Sequence, residues 1–306
     1  MMARVSFSQS LPARSTESTA RQVPASKWGM DTLVSTRWLE ARLGSDDIVV
    51  LDASMHLPDA GRDARGEFEA AHIRGARFLD LASFVDETSD VPKALPTAEQ
   101  FAERMSELGV GHGSRIILYD DSAIRSSARA WFILTHYGEE NVAILDGGLD
   151  KWRREDRYLS SRVFDHAERP RSASEPHREV RAKADIAENI AAGWWQLVDA
   201  RDNARFEGRE SSGSEGHIPG ARNVPFGQLL NEDGTYRSPA DIRQRFEDAG
   251  VDLDRPVVTS CNSGMTAAVL AVGLDLIGKR DVALYDGSWL EWGGDPATPK
   301  ETGEAR

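Results

Sequence analysis

The stretch 256-PVVTSCNSGMTAAVLAVGLDLIG-278 determines how this chain can be interpreted. Residues 257–259 are β-branched and predict a short buried strand. Cys261 follows at the end of that strand, and after a short polar loop comes an apolar run that predicts a helix ended by Gly278. A cysteine between a strand and a helix start can lie over free backbone N–H groups and the positive end of the helix dipole, which favour the nucleophilic thiolate.

Cys261 is the only cysteine among 306 residues. The chain therefore has no internal disulfide and no cysteine-cluster metal site, and a single thiol suits a reducing compartment. The alternative to a reactive group is an inert buried thiol, because free cysteine often packs as a small hydrophobe. The strand, loop and helix pattern alone leaves both interpretations open.

Composition and charge narrow the classes of function. The chain is 40% hydrophobic and 28% charged, which is typical of a soluble globular protein, and its length suits two domains. Its net charge of −13 argues against a nucleic-acid or anionic-membrane partner. The sequence has no apolar run of transmembrane length, phosphate loop, dinucleotide fingerprint or paired metal-ligand spacing, so we expect neither a cofactor nor a metal.

Residues 1–27 differ in composition from the rest of the chain. They are rich in Ser, Ala and Thr, carry four basic residues, and have Glu17 as their only acid. We expect a disordered tail and a cytoplasmic protein. The alternative is a mitochondrial transit peptide, which has the same basic, Ser-rich and acid-poor character.

Four blocks of the first half return in the second half in the same order. They are 51-LDA-53 and 198-VDA-200, 72-HIRGAR-77 and 217-HIPGAR-222, 116-IILYD-120 and 257-VVTSC-261, and 146-DGGLDKW-152 and 286-DGSWLEW-292. Four matched blocks in one order predict a duplicated domain. Asp120 stands where the second copy has Cys261, so only the second copy can perform thiolate chemistry.

Each copy alternates strands and helices, which predicts an α/β fold with a mainly parallel sheet flanked by helices. In the first copy the pattern predicts helices over 32–43, 97–108 and 127–137, and strands over 48–51, 116–119 and 142–145. Thr97 and Gln100 have the spacing of a capping box. The predicted division of the chain is a tail over 1–27, a first domain over 28–156, a linker over 157–184, a catalytic domain over 185–297 and a tail over 298–306.

These motifs resemble those of the two-domain rhodanese family of sulfurtransferases over nearly all of residues 28–297. The resemblance rests on 217-HIPGARNVPF-226, 261-CNSGMTA-267 and 286-DGSWLEW-292, with their degenerate partners in the first half. It implies tandem rhodanese-like α/β domains with the active cysteine in the second domain.

The loop after the cysteine separates two types within this family. A thiosulfate-type loop reads C-R-K-G-V-T-A and a mercaptopyruvate-type loop reads C-G-S-G-V-T-A. Here the loop lacks a basic residue and keeps Ser263, although Asn262 and Met265 depart from both patterns. The resemblance therefore favours 3-mercaptopyruvate over thiosulfate as the sulfur donor.

The resemblance implies that Cys261 takes a sulfane sulfur from the donor as a persulfide and passes it to an acceptor. The acceptor would be a small thiol, a thioredoxin-like protein or cyanide, with no nucleic acid and no membrane involved. Backbone N–H groups of the loop can stabilise the anions, so we expect the loop to contribute binding residues: Asn262, Gly264, Met265 and Thr266. Two substrates sharing one nucleophile should give ping-pong kinetics.

A donor carboxylate is best bound by arginine, whose planar fork matches it. Arg205, in the sequence A-R-F, matches the family's substrate-binding arginine. Arg209 is the candidate for a second family arginine, with a solvated surface charge as the alternative. Arg201 is expected to hold loops together near Asp199.

The resemblance also suggests three catalytic side chains besides Cys261. Ser263 could donate a hydrogen bond to the substrate or relay a proton, and its alternative role is loop capping. His72 matches a family histidine proposed to work with that serine, with Asp63 orienting it. His217 occupies the same place in the second copy, and a histidine repeated in both halves indicates a structural role instead.

Of two other classes of function, the sequence argues against a cysteine phosphatase and leaves a non-catalytic persulfide carrier or binding module as an alternative. A cysteine phosphatase would need an arginine six residues after the cysteine, and that position is Ala267. A non-catalytic persulfide carrier would be sulfurated at Cys261 but would show negligible turnover.

Overall fold

The structure is a computed structural model that describes residues 30–209 and 216–305. The expected tail over residues 1–27 lies outside the described residues. None of the helices in the described ranges is long and apolar enough to cross a membrane.

The first copy consists of short strands that alternate with helices. Its strands are β1 Leu33–Val34, β2 Ile48–Asp52, β3 His72–Ile73, β4 Arg77–Phe78, β5 Arg115–Tyr119 and β6 Val142–Leu145, followed by β7 Leu159–Ser160. Its helices are α1 Thr36–Glu40, α2 Ala64–Ala70, α3 Ala98–Glu107, α4 Ser126–His136 and α5 Gly148–Arg154.

The second copy repeats this alternation. Its strands are β8 Val180–Arg181, β9 Gln196–Asp199, β10 Arg222–Asn223, β11 Val257–Ser260 and β12 Val282–Tyr285. Its helices are α6 Lys183–Ala192, α7 Asn203–Glu207, α8 Pro239–Asp248, α9 Ala267–Leu276 and α10 Ser288–Gly294.

Within the described ranges, the two copies build sheets with the same strand order. The first sheet runs β1-β6-β5-β2-β4 and the second, read from its other edge, runs β8-β12-β11-β9-β10. Every pairing in these two sheets is parallel. The predicted fold class, a tandem pair of α/β domains with mainly parallel sheets, is confirmed.

Most of the predicted elements of the first copy are confirmed within one or two residues at their ends. One prediction was wrong in part, because helix α1 is only five residues long and Leu33 belongs to strand β1. Leu33 pairs with Ile144 of the neighbouring strand, so tertiary hydrogen bonding takes these backbone groups from the helix. Ser35 then starts the helix by accepting a hydrogen bond from Trp38 N at 3.1 Å.

The segment over residues 157–184 contributes a strand to a separate two-stranded sheet with β3 and an edge strand to the five-stranded sheet of the second domain. Strand β7 pairs antiparallel with β3, and strand β8 forms an edge of the second sheet beside β12. The region that the sequence suggests is a linker therefore connects the two domains through short paired strands.

One apolar core cluster spans both domains, and each domain has a further cluster of its own. Helices α4 and α9, which follow the Asp120 and Cys261 loops respectively, pack against each other. One continuous cluster contains Ala128 and Phe132 of α4 together with Ala268 and Val272 of α9, all of them inaccessible to solvent. This packing places the cysteine loop at the boundary between the domains.

Candidate active site

Cys261 lies at the carboxyl end of the central strand β11, and its side chain is only 2% exposed. The start of helix α10 holds its backbone: Cys261 N donates to Ser288 Oγ at 3.1 Å, and Cys261 O accepts from Trp289 N at 3.1 Å. Leu290 N donates to the carbonyl oxygen of Asn262 at 2.8 Å. Cys261 is thus fixed by contacts with a second, distant motif.

Ser288 is held in a strained backbone conformation beside the cysteine. Its φ is +50°, in the left-handed region that favours glycine, and the residue is fully buried. Its hydroxyl also donates to Tyr285 O at 2.8 Å. The corresponding residue of the first copy is Gly148, with φ +59°. Because this strain costs about 1–3 kcal/mol, a serine at this position indicates a use for its hydroxyl.

The first copy shows how this type of loop binds an anion. Asp120 occupies the position of the cysteine, and its two carboxylate oxygens accept hydrogen bonds from Ser122 N and Ser127 N, each at 2.9 Å. The loops between strand and helix have equal length in the two copies. In the second copy the equivalent groups are Ser263 N and Ala268 N, and Ala268 N donates to Met265 O at 3.2 Å. Ser263 N is therefore the equivalent group that the loop can offer to an anion at Cys261.

The loop residues close around the cysteine. Ser263, Gly264 and Met265 are buried, and Asn262 and Thr266 are half-buried. Gly264 has φ +74°, in the left-handed region that favours glycine. No residue of this loop carries a charge, so the charge that attracts an anionic substrate must come from elsewhere.

The two candidate substrate arginines lie on or just after helix α7. Arg205 is one-third exposed, and its Nε donates to Asp202 Oδ2 at 2.6 Å. Arg209 is 62% exposed and pairs with Glu207 at 2.6 Å. Arg209 directly precedes residues 210–215, which lie outside the described ranges.

Arg201 forms a buried ion pair, as the sequence suggested. It is 1% exposed, and its Nη2 lies 2.7 Å from both Asp199 Oδ2 and the carbonyl oxygen of Gly216. Its guanidinium carbon lies 4.6 Å from the ring centroid of Trp289. The expectation that Arg201 ties loops together near Asp199 is confirmed.

His72 and His217 have closely similar surroundings in the two copies. His72 is fully buried, with Nδ1 2.6 Å from Phe68 O and Nε2 3.2 Å from Arg162 O, and its ring stacks on Phe68. His217 likewise places Nδ1 2.8 Å from Phe206 O and stacks on that ring. The shared arrangement favours the structural interpretation of this histidine.

Asp63 lies at the amino-terminal end of helix α2, on the surface of the first domain. Next to it, Arg62 pairs with Glu67 at 2.6 Å and with Asp121 at 2.8 Å. Asp63 and His72 thus lie at the two ends of the α2 segment, and His72 directs its ring nitrogens at backbone carbonyls.

Sequence reasoning missed Arg129 and Asp286, which meet at the domain boundary. Their side chains are 2.7 Å apart and almost fully buried. The sequence did contain one signal, because Arg129 is a charged residue inside the apolar run 128-ARAWFIL-134. A cation buried in such a run requires a partner of opposite charge. The partner is far away in the sequence, so the sequence did not reveal it.

Comparisons with known proteins agree with this geometry. The rhodanese-like domain model matches the chain twice, over residues 35–155 and 182–295. The crystal structure of SseA from Escherichia coli, described as having the rhodanese fold, gives a TM-score of 0.78 at 36% identity, covering 84% of this chain and 98% of SseA. The chain belongs to the rhodanese family and consists of two rhodanese-like domains.

Curated relatives define the class of enzyme. The 3-mercaptopyruvate sulfurtransferase of Homo sapiens is 41% identical over 270 residues, covering 85% of this chain and 91% of the human protein. The 3-mercaptopyruvate sulfurtransferase of Escherichia coli is 36% identical over 273 residues, covering 88% and 97%. The thiosulfate sulfurtransferase of Gallus gallus is 36% identical over 269 residues, covering 85% and 92%. This chain is a sulfurtransferase.

Proposed function

We propose that this enzyme transfers a sulfane sulfur from 3-mercaptopyruvate to a thiol or cyanide through a persulfide on Cys261. The observation that carries the proposal is the position of Cys261 over an uncharged loop whose counterpart in the first copy holds a carboxylate by two backbone N–H groups. The names of the human and bacterial relatives support 3-mercaptopyruvate as the donor.

The first half-reaction forms one bond and breaks one. The Cys261 thiolate attacks the donor sulfur, a new S–S bond forms, and the donor C–S bond breaks. The electron pair of that bond stays on the departing carbon as the enolate of pyruvate, which takes up a proton to give pyruvate. Loop N–H groups stabilise the sulfur anion on the enzyme throughout this step.

The second half-reaction regenerates the enzyme. An acceptor thiolate or cyanide attacks the outer sulfur of the persulfide, the S–S bond breaks, and its electron pair returns to Cys261 as thiolate. Small thiols and thioredoxin-like proteins have the required nucleophile. Because a lone cysteine suits a reducing compartment, we also propose a cytoplasmic location, with mitochondria as the alternative.

Arg205 and Arg209 are our proposed ligands for the donor carboxylate. A substrate anion approaching a protein of net charge −13 needs a local cation, and the cysteine loop supplies none. Ser263 is the proposed hydrogen-bond donor to the substrate carbonyl, because its side chain lies in the buried part of the loop. Backbone groups of the loop residues, from Asn262 to Thr266, complete the proposed pocket.

We assign His72 to the support of the first domain and give Asp63 no proton-transfer role. Both ring nitrogens of His72 contact backbone carbonyl oxygens inside the protein, so the ring has no nitrogen directed at a substrate. A general acid or base needs hydrogen-bond reach to the group that it protonates or deprotonates.

Thiosulfate is the second candidate donor. Relatives named for thiosulfate match the chain at comparable identity, among them a thiosulfate sulfurtransferase of Gallus gallus and a thiosulfate/3-mercaptopyruvate sulfurtransferase of Arabidopsis thaliana. A doubly charged donor would benefit from cations in the loop, and this loop has none. We therefore expect thiosulfate to be the poorer donor.

The test is donor-dependent kinetics on the purified full chain. We expect pyruvate release from 3-mercaptopyruvate with a thiol acceptor, a mass gain of one sulfur atom on the enzyme when the acceptor is omitted, and loss of both in Cys261→Ser. A higher kcat/KM with thiosulfate would reverse the donor assignment. Full activity in Cys261→Ser would eliminate the persulfide mechanism.

A further inference from the structure

We propose that Arg129, which belongs to the domain without the cysteine, is a positioning residue for the catalytic loop of the other domain. The proposal rests on the proposed role of Cys261 as the sulfur carrier. It assigns the first domain a part in positioning the catalytic loop, beyond the burial of apolar surface.

One guanidinium group joins both domains at the loop. Arg129 lies on helix α4 and is 2% exposed. Its Nη2 lies 2.7 Å from Asp286 Oδ1 and donates to Lys93 O at 3.3 Å, and its Nη1 donates to Gly264 O at 3.4 Å. The planar fork of arginine makes such simultaneous contacts possible, and a lysine ammonium cannot reproduce them.

Asp286 connects this ion pair to the cysteine. Its Oδ2 accepts a hydrogen bond from Leu95 N of the first domain at 2.6 Å. Two residues later, Ser288 Oγ accepts the hydrogen bond from Cys261 N. The run from Asp286 to Ser288 therefore contacts the loop both at the cysteine and, together with Arg129, at Gly264.

Gly264 packs closely against the ion pair between Arg129 and Asp286, and a side chain at this residue would be crowded. A Cβ atom at this residue would lie 2.9 Å from Arg129 Nη1, closer than real Cβ contacts allow, and 3.0 Å from Asp286 Oδ1, closer than most of them. The turn at Gly264 thus limits where the guanidinium group of Arg129 can lie, and the guanidinium group limits the conformation of the turn.

This contact fixes the direction of a peptide plane. In a planar trans peptide the carbonyl of Gly264 and the N–H of Met265 point in opposite directions. When Arg129 holds the carbonyl of Gly264 on one side, the N–H of Met265 is directed to the other side of the loop, where it is available to an anion at Cys261. Donors arranged in advance stabilise a charged sulfur without reorganisation during the reaction.

The same cation lines a cavity. A space of about 410 Å³ is bounded by Arg129, Met265 and side chains of the first domain, including Met55, Phe84 and Ile133. The loop therefore borders open space on this side, and the hydrogen bond from Arg129 to Gly264 O is a polar contact that restrains it there.

The test separates loop positioning from simple charge neutralisation. Arg129→Met alone leaves Asp286 buried without a counter-ion and can unfold the chain. The double variant Arg129→Met with Asp286→Asn removes both charges, and Arg129→Lys keeps the charge but loses the fork. Arg104→Met is the matched control, because Arg104 is an exposed arginine of α3 that pairs only with Glu107 among the contacts of the described ranges.

The readouts are the melting temperature, the single-turnover rate of sulfur addition followed by mass, and the pH dependence of Cys261 alkylation by iodoacetamide. In the double variant we expect a melting temperature near that of the wild type, a roughly 10²-fold slower sulfur addition and a donor KM changed little, because misplaced groups slow the chemical step. The alkylation midpoint should move to higher pH, since fewer donors favour the thiolate. Arg129→Lys should fall between the double variant and the wild type, and Arg104→Met should match the wild type.

Wild-type rates and an unchanged alkylation midpoint in the folded double variant would overturn the inference, since Arg129 would then only neutralise Asp286. If the double variant does not fold, wild-type rates in folded Arg129→Lys would overturn it equally. If the proposed function itself is wrong, the result is different, because the wild-type protein would then show no mass gain from the sulfur donor.

Discussion

The second strand of each copy ends in an aspartate, and the two carboxylates have different environments. Asp199, at the end of β9, forms a buried ion pair with Arg201. Asp52, at the end of β2, has Ser54 in place of that arginine, and its Oδ1 accepts a hydrogen bond from Ser54 N at 2.9 Å. Burial therefore raises the pKa of Asp52 to about 6.

Replacing Asp52 by Asn should stabilise the protein above pH 6. The pKa of Asp52 rises from 3.8 to about 6 on folding, so the folded state binds the proton more tightly and stability falls as pH rises through this window. At about 1.4 kcal/mol per unit, the gain at pH 8 is at most about 3 kcal/mol and vanishes below pH 4. Urea unfolding of both proteins at several pH values measures the difference.

The corresponding change in the second copy is the control. Asp199→Asn removes the buried carboxylate that pairs with Arg201 and should destabilise the fold by about 3–5 kcal/mol. A free-energy difference between wild type and Asp52→Asn that is constant from pH 4 to pH 8 would contradict the assignment.

At the scale of single elements, end groups decide where helices begin. Helix α3 begins with the predicted capping box, in which Thr97 Oγ1 accepts from Gln100 N at 3.2 Å and Gln100 Oε1 accepts from Thr97 N at 2.8 Å. Helix α1 is shorter than predicted because strand β1 takes its first residues. Local sequence patterns thus predicted the bounds of α3 well. In α1 the pairing of strand β1 made the helix shorter than those patterns predict.

Thr97→Ala should destabilise the protein by about 1 kcal/mol, because the first turn of α3 loses the acceptor for one of its free N–H groups. The measurement is the free energy of unfolding in urea. Glu103→Ala, an exposed change in the middle of the same helix, should stay within about 0.5 kcal/mol of the wild type. Equal effects of the two changes would mean that the cap contributes nothing.

At the scale of the whole molecule, one carboxylate connects the two domains and the segment between them. Asp275 of α9 is 6% exposed and accepts a hydrogen bond from Thr32 Oγ1 of the first domain at 2.6 Å. It also pairs with Arg178 at 3.4 Å and with Arg280 at 2.5 Å. Together with the core shared by α4 and α9, this contact leads us to expect that the two domains unfold as one cooperative unit.

Asp275→Ala should lower the stability of both domains together by about 3 kcal/mol, because Arg178 remains buried without its partner. Urea transitions followed by tryptophan fluorescence and by exposure of the Cys261 thiol should shift equally and coincide. Glu247→Ala, which removes a surface carboxylate paired with the similarly exposed Arg243, should change stability by less than about 0.5 kcal/mol. Separate transitions for the two probes would show that the domains unfold independently.

Local sequence patterns were sufficient to predict most of the fold. Repeated blocks predicted the duplication, and β-branched runs predicted the strands that flank Asp120 and Cys261. Both rest on short-range rules, namely strand propensity and the order of elements along the chain. The rhodanese-like fold class followed from these patterns together with the motifs that carry the family resemblance.

The sequence by itself determined the lone Cys261, its uncharged loop, and the Asp120 that occupies the same position in the first copy. Only the tertiary structure decided which partners these groups have: Arg129 with Asp286 across the domain boundary, Ser288 with the backbone of Cys261, and carbonyl oxygens with His72. The physical reason is separation along the chain. A buried charge requires a counter-charge, but local rules do not specify where in a 306-residue chain that charge stands.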